Sequence, residues 1–159
     1  ILDSASAYPI FSSLTSPHSR IADLGSGAGL PGIVLSILFP DRRFVLIDRM
    51  TRRIGFLRAV KAMLSLENVE IIDKDINQVK ERFDFVTSRA FRPLDVVAAD
   101  TIKLSSTAIL YKGTLKSINE ELEKIRKDGY TFSSTIYPVK GIGEEGERNI
   151  VVLENWRKP

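Results

Sequence analysis

The chain has 159 residues, of which 43% are hydrophobic and 27% charged, enough for one sizeable core and too few for two independent domains. That composition excludes disordered and fibrous classes, the longest apolar run, Ile33 to Phe39, is far short of the ~20 residues of a membrane-spanning helix, and the absence of cysteine excludes a disulfide framework and thiolate chemistry. A net charge of +3 permits an anionic partner without requiring one, and with nothing resembling a secretory signal a cytoplasmic location is expected.

In chain order, Ile1 to Leu14 reads as a helix packed on the sheet and interrupted at Pro9. Short apolar runs then alternate with segments of helical period, the pattern of βα units and a parallel sheet. Strands are expected at Arg20 to Leu24, Phe44 to Asp48, Val69 to Ile72, Phe83 to Ser88 and Thr107 to Lys112. Between them, helices are expected at Leu30 to Phe39 and at Thr51 to Leu66, the latter with Ile54, Leu57, Val60, Met63 and Leu64 on one apolar stripe. A short helical turn over Asp75 to Lys80 follows, then helices over Pro93 to Leu104 and Ser117 to Lys127, the last capped by Ser117 and ended by Gly129. Tyr130 to Val139 and Arg148 to Trp156 read as a hairpin around Gly141-Ile142-Gly143-Glu144-Glu145-Gly146. The sum is a single α/β domain over residues 1–159, built on a doubly wound, mostly parallel seven-stranded sheet with an antiparallel C-terminal pair.

The segment Asp23-Leu24-Gly25-Ser26-Gly27-Ala28-Gly29-Leu30-Pro31-Gly32 sits between the first strand and the next helix. Glycines there let a ligand approach the backbone, and the free N–H groups of the following helix present a positive dipole end. Pro31 suits a first helical turn, where a missing N–H costs nothing. Gly27 to Gly32 alone satisfies the dinucleotide pattern G-x-G-x-x-G, which is weak evidence by itself. Asp23 tilts the choice, because a carboxylate there repels a pyrophosphate and attracts an ammonium. S-adenosylmethionine carries an ammonium and a sulfonium and no phosphate. Asp48 ends the second strand about twenty residues on, where a carboxylate accepts hydrogen bonds from ribose hydroxyls. The competing reading of Asp48 is a cap ahead of Thr51, and that of Asp23 an ion-pair partner at a strand end. The basic cluster Arg42, Arg43, Arg49, Arg52, Arg53, Arg58 and Lys61 is either a phosphate-facing surface or a solvated helix face.

These residues, together with Arg52-Arg53-Ile54-Gly55-Phe56-Leu57, Val86-Thr87-Ser88-Arg89-Ala90-Phe91, Tyr111-Lys112-Gly113 and Gly146-Glu147-Arg148-Asn149-Ile150-Val151-Val152, resemble the bacterial 16S ribosomal RNA guanine-N7 methyltransferases, the family once named for glucose-inhibited division protein B. The resemblance runs end to end. It implies a Rossmann-like class-I methyltransferase fold, S-adenosyl-L-methionine as cofactor and 16S rRNA or the small ribosomal subunit as partner, with a monomer favoured. It implies cofactor contacts at Gly25 and Leu30, at Ile76 and Asn77 beside the adenine, and at Arg89. The family's usual acidic residue is replaced by Asn77, whose amide oxygen can still accept from an adenine amino group, and its lysine-arginine pair by Arg52 and Arg53. Family members also carry a helical region ahead of the segment matching Ile1, which this chain is expected to lack.

Guanine N7 has an in-plane lone pair in the neutral base, so methyl transfer there needs no general base. The single histidine, His18, lies in the polar stretch Ser16-Pro17-His18-Ser19 and reads as an exposed loop residue. No metal site is expected. Cofactor binding is assigned to Asp23, Gly25, Gly27, Gly29, Leu30, Asp48, Ile76, Asn77 and Arg89. Arg89 and Lys112, at strand ends on the edge where α/β sheets bind ligands, are the orienting candidates, and Arg92, Lys112, Arg52 and Arg53 the RNA-side ones. Ion pairs with Asp84, Asp95 or Asp100 compete with those roles, and Phe91 could stack on the guanine. Other readings are a class-I methyltransferase with another substrate, a nucleotide-binding oxidoreductase module, and a non-catalytic RNA-binding domain.

Overall fold

The computed structural model describes residues 2–89, 92–139 and 146–158. Seven strands form one sheet: β1 Arg20–Leu24, β2 Arg43–Asp48, β3 Val69–Asp73, β4 Phe85–Arg89, β5 Thr107–Lys112, β6 Thr131–Val139 and β7 Arg148–Arg157. Their order is β3-β2-β1-β4-β5-β7-β6. β1 to β5 are parallel, β7 lies antiparallel against β5, and β6 pairs antiparallel with β7 at the edge. The doubly wound sheet with its antiparallel pair is the architecture that the alternating sequence pattern predicts.

Side chains along each inner strand alternate between two apolar layers. In β2, Val45 and Ile47 join Leu94, Ala98, Ile118, Leu122 and Ile125 on one face, while Phe44 and Leu46 join Ile33, Leu35, Ile54, Leu57 and Phe11 on the other. Each such fully buried side chain contributes about 1.5–3 kcal/mol relative to exposure. The first face is covered by α5 Leu94–Leu104 and α6 Leu115–Lys127, and the second by α3 Gly32–Leu38, α4 Thr51–Met63 and the N-terminal helices.

Several boundaries differ from expectation. The N-terminal helix is two, α1 Leu2–Ala5 and α2 Tyr8–Leu14. Pro9 sits in the first turn of α2, where its missing N–H is harmless, so it begins a helix instead of interrupting one. α4 stops at Met63, and Met63 and Leu64 are 80% and 47% exposed, leaving the buried stripe to Ile54 and Leu57. The helical period holds there, but its last apolar residues stay exposed. α6 begins at Leu115 and is capped by Thr114, whose hydroxyl accepts from Ser117 N at 3.2 Å. Gly129, at φ 87°, ends it as expected. Of the expected hairpin loop, residues 141–145 lie outside the described residues, and the strands on either side of it meet at Val139 and Arg148.

Candidate functional site

The glycine-rich segment crosses the edge at which the parallel strands end. Gly25 N and Ser26 N donate to Ile47 O at 2.9 and 3.1 Å, and Ser26 Oγ donates to Asp23 O at 2.9 Å. The loop is pinned from below by two carboxylates: Gly27 N donates to Asp48 Oδ2 at 2.9 Å and Gly32 N to Asp23 Oδ2 at 3.0 Å. Two positions leave little room for a Cβ. At Gly29, φ 82°, a Cβ would stand 2.5 Å from Ile33 Cγ1, and at Gly32 it would stand 2.2 Å from Leu46 Cδ2 and 2.7 Å from Asp23 Oδ2.

Asp23 is 1% exposed, so the carboxylate lies beneath the loop, not open on its surface. Its Oδ1 is buried with no hydrogen-bond partner among the described residues. Burial pushes its pKa up to about 7, opposed by the Gly32 N–H bond and by the positive charge of Arg89. A buried acceptor with a free lone pair is a fit for a cationic donor and a misfit for a phosphate oxygen. Asp48 ends β2 against both the glycine loop and the entry to α4. Its Oδ2 holds Gly27 N, its Oδ1 accepts from Met50 N at 3.0 Å at the entry to α4, and Arg53 Nη1 lies 3.5 Å from Oδ2. Oδ1, with Met50 N as its one donor among the described residues, keeps a lone pair for a ribose hydroxyl.

Beside Asp48 opens a cleft of about 150 Å³ lined by Gly25, Ile47, Asp48, Arg49, Met50, Arg53, Lys74, Asp75, Ile76 and Arg92. Ile76 lines this cleft, whereas Asn77 is exposed and outside the lining. Leu30 is half-buried in the loop and outside the lining as well. Asp75 was not anticipated. It caps the helical turn Ile76–Gln78, its Oδ1 accepting from Asn77 N at 3.1 Å, and its Oδ2 lies 3.3 Å from Arg49 Nη1. The spacing of Asp75 and Gln78, a capping box, was the available signal for it.

The basic residues do not form one surface. Arg42 is 8% exposed, donating to Thr15 Oγ1 at 2.6 Å and Thr15 O at 3.0 Å with its guanidinium 4.5 Å from the Phe39 ring centroid. Arg43 begins β2 at the opposite end of the sheet, Arg49 faces Asp75, Arg53 faces Asp48, and Arg52 and Arg58 lie exposed on α4. The phosphate-facing patch read from their sequence clustering is thus dispersed, because turn and strand geometry sends neighbouring residues to opposite ends of the molecule.

Arg89 stands at the expected edge, exposed, 3.9 Å from Asp3 Oδ2; among the described residues it forms no ion pair with the competing partners Asp84, Asp95 and Asp100. Lys112 has a different environment from the one anticipated. Its side chain is 10% exposed and its Nζ donates to Glu121 Oε2 at 2.8 Å and to Arg92 O at 2.9 Å. Glu121 Oε2 also accepts from Leu94 N at 2.8 Å, so the pair ties β5 to the start of α5 and to the backbone of a cleft residue. Phe91 lies outside the described residues. His18 is exposed ahead of β1, at the end of the sheet away from the glycine loop.

The family model "GidB: rRNA small subunit methyltransferase G" matches residues 1–151. The ribosomal RNA small subunit methyltransferase G of Borrelia hermsii is 34% identical over 155 residues, covering 96% of this chain and 72% of the relative. That of Treponema denticola is 38% identical over 151 residues, covering 89% and 59%. The chain therefore spans well short of the full length of either. Among solved structures, M. jannaschii TYW2 in complex with AdoMet superposes with a TM-score of 0.65 at 16% identity, over 97% of this chain and 77% of that one, a likeness of fold. With the match running from residue 1 to 151 over this sheet order and this carboxylate-pinned loop, the chain belongs to the rRNA small subunit methyltransferase G family.

Proposed function

We propose that the chain carries the cofactor and catalytic part of an S-adenosyl-L-methionine-dependent methyltransferase that acts on N7 of a guanine in 16S rRNA, in the cytoplasm where the small ribosomal subunit is found. The single observation that carries the cofactor half is the buried Asp23 carboxylate, with Oδ1 unpartnered directly under the glycine loop. Family membership carries the substrate half. No helix among the described residues is long and apolar enough to cross a membrane.

When bound, S-adenosylmethionine supplies an electrophilic methyl group on a cationic sulfur. The rest of the work falls to positioning by this chain. Asp23 Oδ1 accepts from the ammonium end, directly or through water. Asp48 would accept from the ribose hydroxyls while holding Gly27, and the cleft lined by Met50, Asp75 and Ile76 would take the adenine. The loop backbone is fixed by four hydrogen bonds to Ile47, Asp48 and Asp23. Neutral N7 needs no proton removed, so the role of Arg89 is to hold the RNA and not to activate the base. An arginine cation directly against a purine that gains positive charge would oppose transfer.

The test is calorimetry with S-adenosylhomocysteine and NADH, followed by transfer of a labelled methyl group to small ribosomal subunits. Binding of S-adenosylhomocysteine alone, with label recovered as N7-methylguanine, is the expected result. Binding of NADH alone, or label on another atom, contradicts the proposal.

A further inference from the structure

β7 runs antiparallel to β5, so its first residue reaches the edge at which the parallel strands end. Arg148, the first residue of β7, is brought there beside Arg89, the last of β4. Asp3 of α1 stands between them, with Oδ2 3.9 Å from Arg89 Nη1 and Oδ1 3.7 Å from Arg148 Nε. Both distances exceed the ~3.2 Å reach of a hydrogen bond. Among the described residues neither guanidinium donates a hydrogen bond to any group, and the side chains are 38% and 48% exposed. Among the described residues, two cations thus share one loosely held carboxylate.

The local chain is arranged around Arg148. A Cβ at Gly146, φ +110°, would stand 3.1 Å from Arg148 Nη1, so the bare backbone leaves room for the guanidinium. Among the described residues the neighbouring carboxylate, Glu147, forms no ion pair with it: Glu147 Oε1 accepts from Leu115 N at 2.9 Å and from Asn149 Nδ2 at 3.1 Å. Asn149 is buried and also donates to Gly113 O at 2.7 Å, which fixes the strand on which Arg148 stands. Neither Arg89 nor Arg148 lines the cleft beside Asp48, so the anion they suit approaches from outside it.

We propose that Arg89 and Arg148 form a two-guanidinium seat for one phosphodiester of the RNA substrate, with Asp3 spacing the two arginines. The guanidinium fork matches the geometry of phosphate oxygens, and two of them leave a net positive charge after Asp3 is counted. The proposal rests on the reading of RNA as substrate. Buried Asp23 lies within electrostatic range of Arg89 but makes no hydrogen bond with it.

The experiment is filter binding of the chain and its Arg148→Gln and Arg148→Lys variants to 16S rRNA across a salt series, with S-adenosylhomocysteine affinity measured in parallel. Loss of one phosphate contact lowers the slope of log affinity against log salt by ~0.7–0.9. The wild-type advantage over Arg148→Gln therefore shrinks about threefold between ~50 and ~200 mM salt. Arg148→Lys is expected to keep the wild-type slope, and all three proteins to bind S-adenosylhomocysteine equally. An unchanged slope in Arg148→Gln overturns the proposal. So does loss of S-adenosylhomocysteine binding with the RNA slope intact, which would give the anion site to the cofactor. Wild-type protein with no salt-dependent RNA binding at all overturns the functional reading and this proposal with it.

Discussion

Replacing Asp23 with Asn keeps the shape of the side chain and removes its charge. In the ligand-free protein, burial raises the Asp23 pKa from 3.8 to about 7. Between those values the folded chain holds a proton that the unfolded chain has released, so stability falls as pH rises through that window and is level above it. The charged form therefore costs the fold on the order of 4 kcal/mol above neutrality, which a cationic ligand at Oδ1 would offset. Cofactor affinity should follow the carboxylate form. With a pKa near 7 the charged fraction rises roughly twentyfold from about pH 5.5 to about pH 7.5, and affinity for S-adenosylhomocysteine should rise by the same factor. Asp23→Asn should bind with no such dependence and, at the upper pH, 10- to 100-fold more weakly than wild type, the worth of about 1.5–3 kcal/mol for a hydrogen bond to a charged group. Calorimetry at the two pH values reads both effects. Equal wild-type affinity at both, or an Asn variant that binds as tightly as wild type at the upper pH, refutes the reasoning.

Gly32→Ala places a Cβ against Leu46 and Asp23 and should lower stability by about 1–3 kcal/mol; an unchanged urea midpoint contradicts the close approach. Arg42→Ala removes bonds to Thr15 and the contact with Phe39 and should cost about 2 kcal/mol in urea unfolding. It should leave the salt dependence of RNA binding untouched, and a reduced slope would return Arg42 to the RNA surface. Single-turnover methyl transfer at saturating cofactor should be flat between about pH 6.5 and 8.5, because no base is required and the bound cation holds Asp23 ionised. An acid limb near the histidine reference value of ~6.5 would point to a protein base.

The sheet was legible because its signal is local: β1 and β5 begin and end where the apolar runs do. The two carboxylates under the loop were legible for the same reason, since strand ends and glycine spacing fix where they emerge. What sequence could not supply was direction. Arg42 and Arg43 are adjacent, yet one packs on Phe39 and the other starts a strand, a difference set by tertiary contacts with Thr15. Lys112 stands at the right edge, but its ammonium turns to Glu121, nine residues on and one helix away. Asp3 and Arg148 were hidden by distance, being brought together only when the first helix and the last strand close on the same edge. Asp75 was masked by Asn77, two residues on, because the phase of a short turn decides which side chain faces the cleft.

The central claim, methyl transfer to N7 of a guanine in small-subunit RNA, is tested most directly by mass spectrometry of that RNA from cells with and without the protein. One N7-methylguanine should disappear when the protein is absent and return when this gene, but not its Asp23→Asn variant, is restored. An unchanged complement of N7-methylguanine in cells lacking the protein would contradict the account.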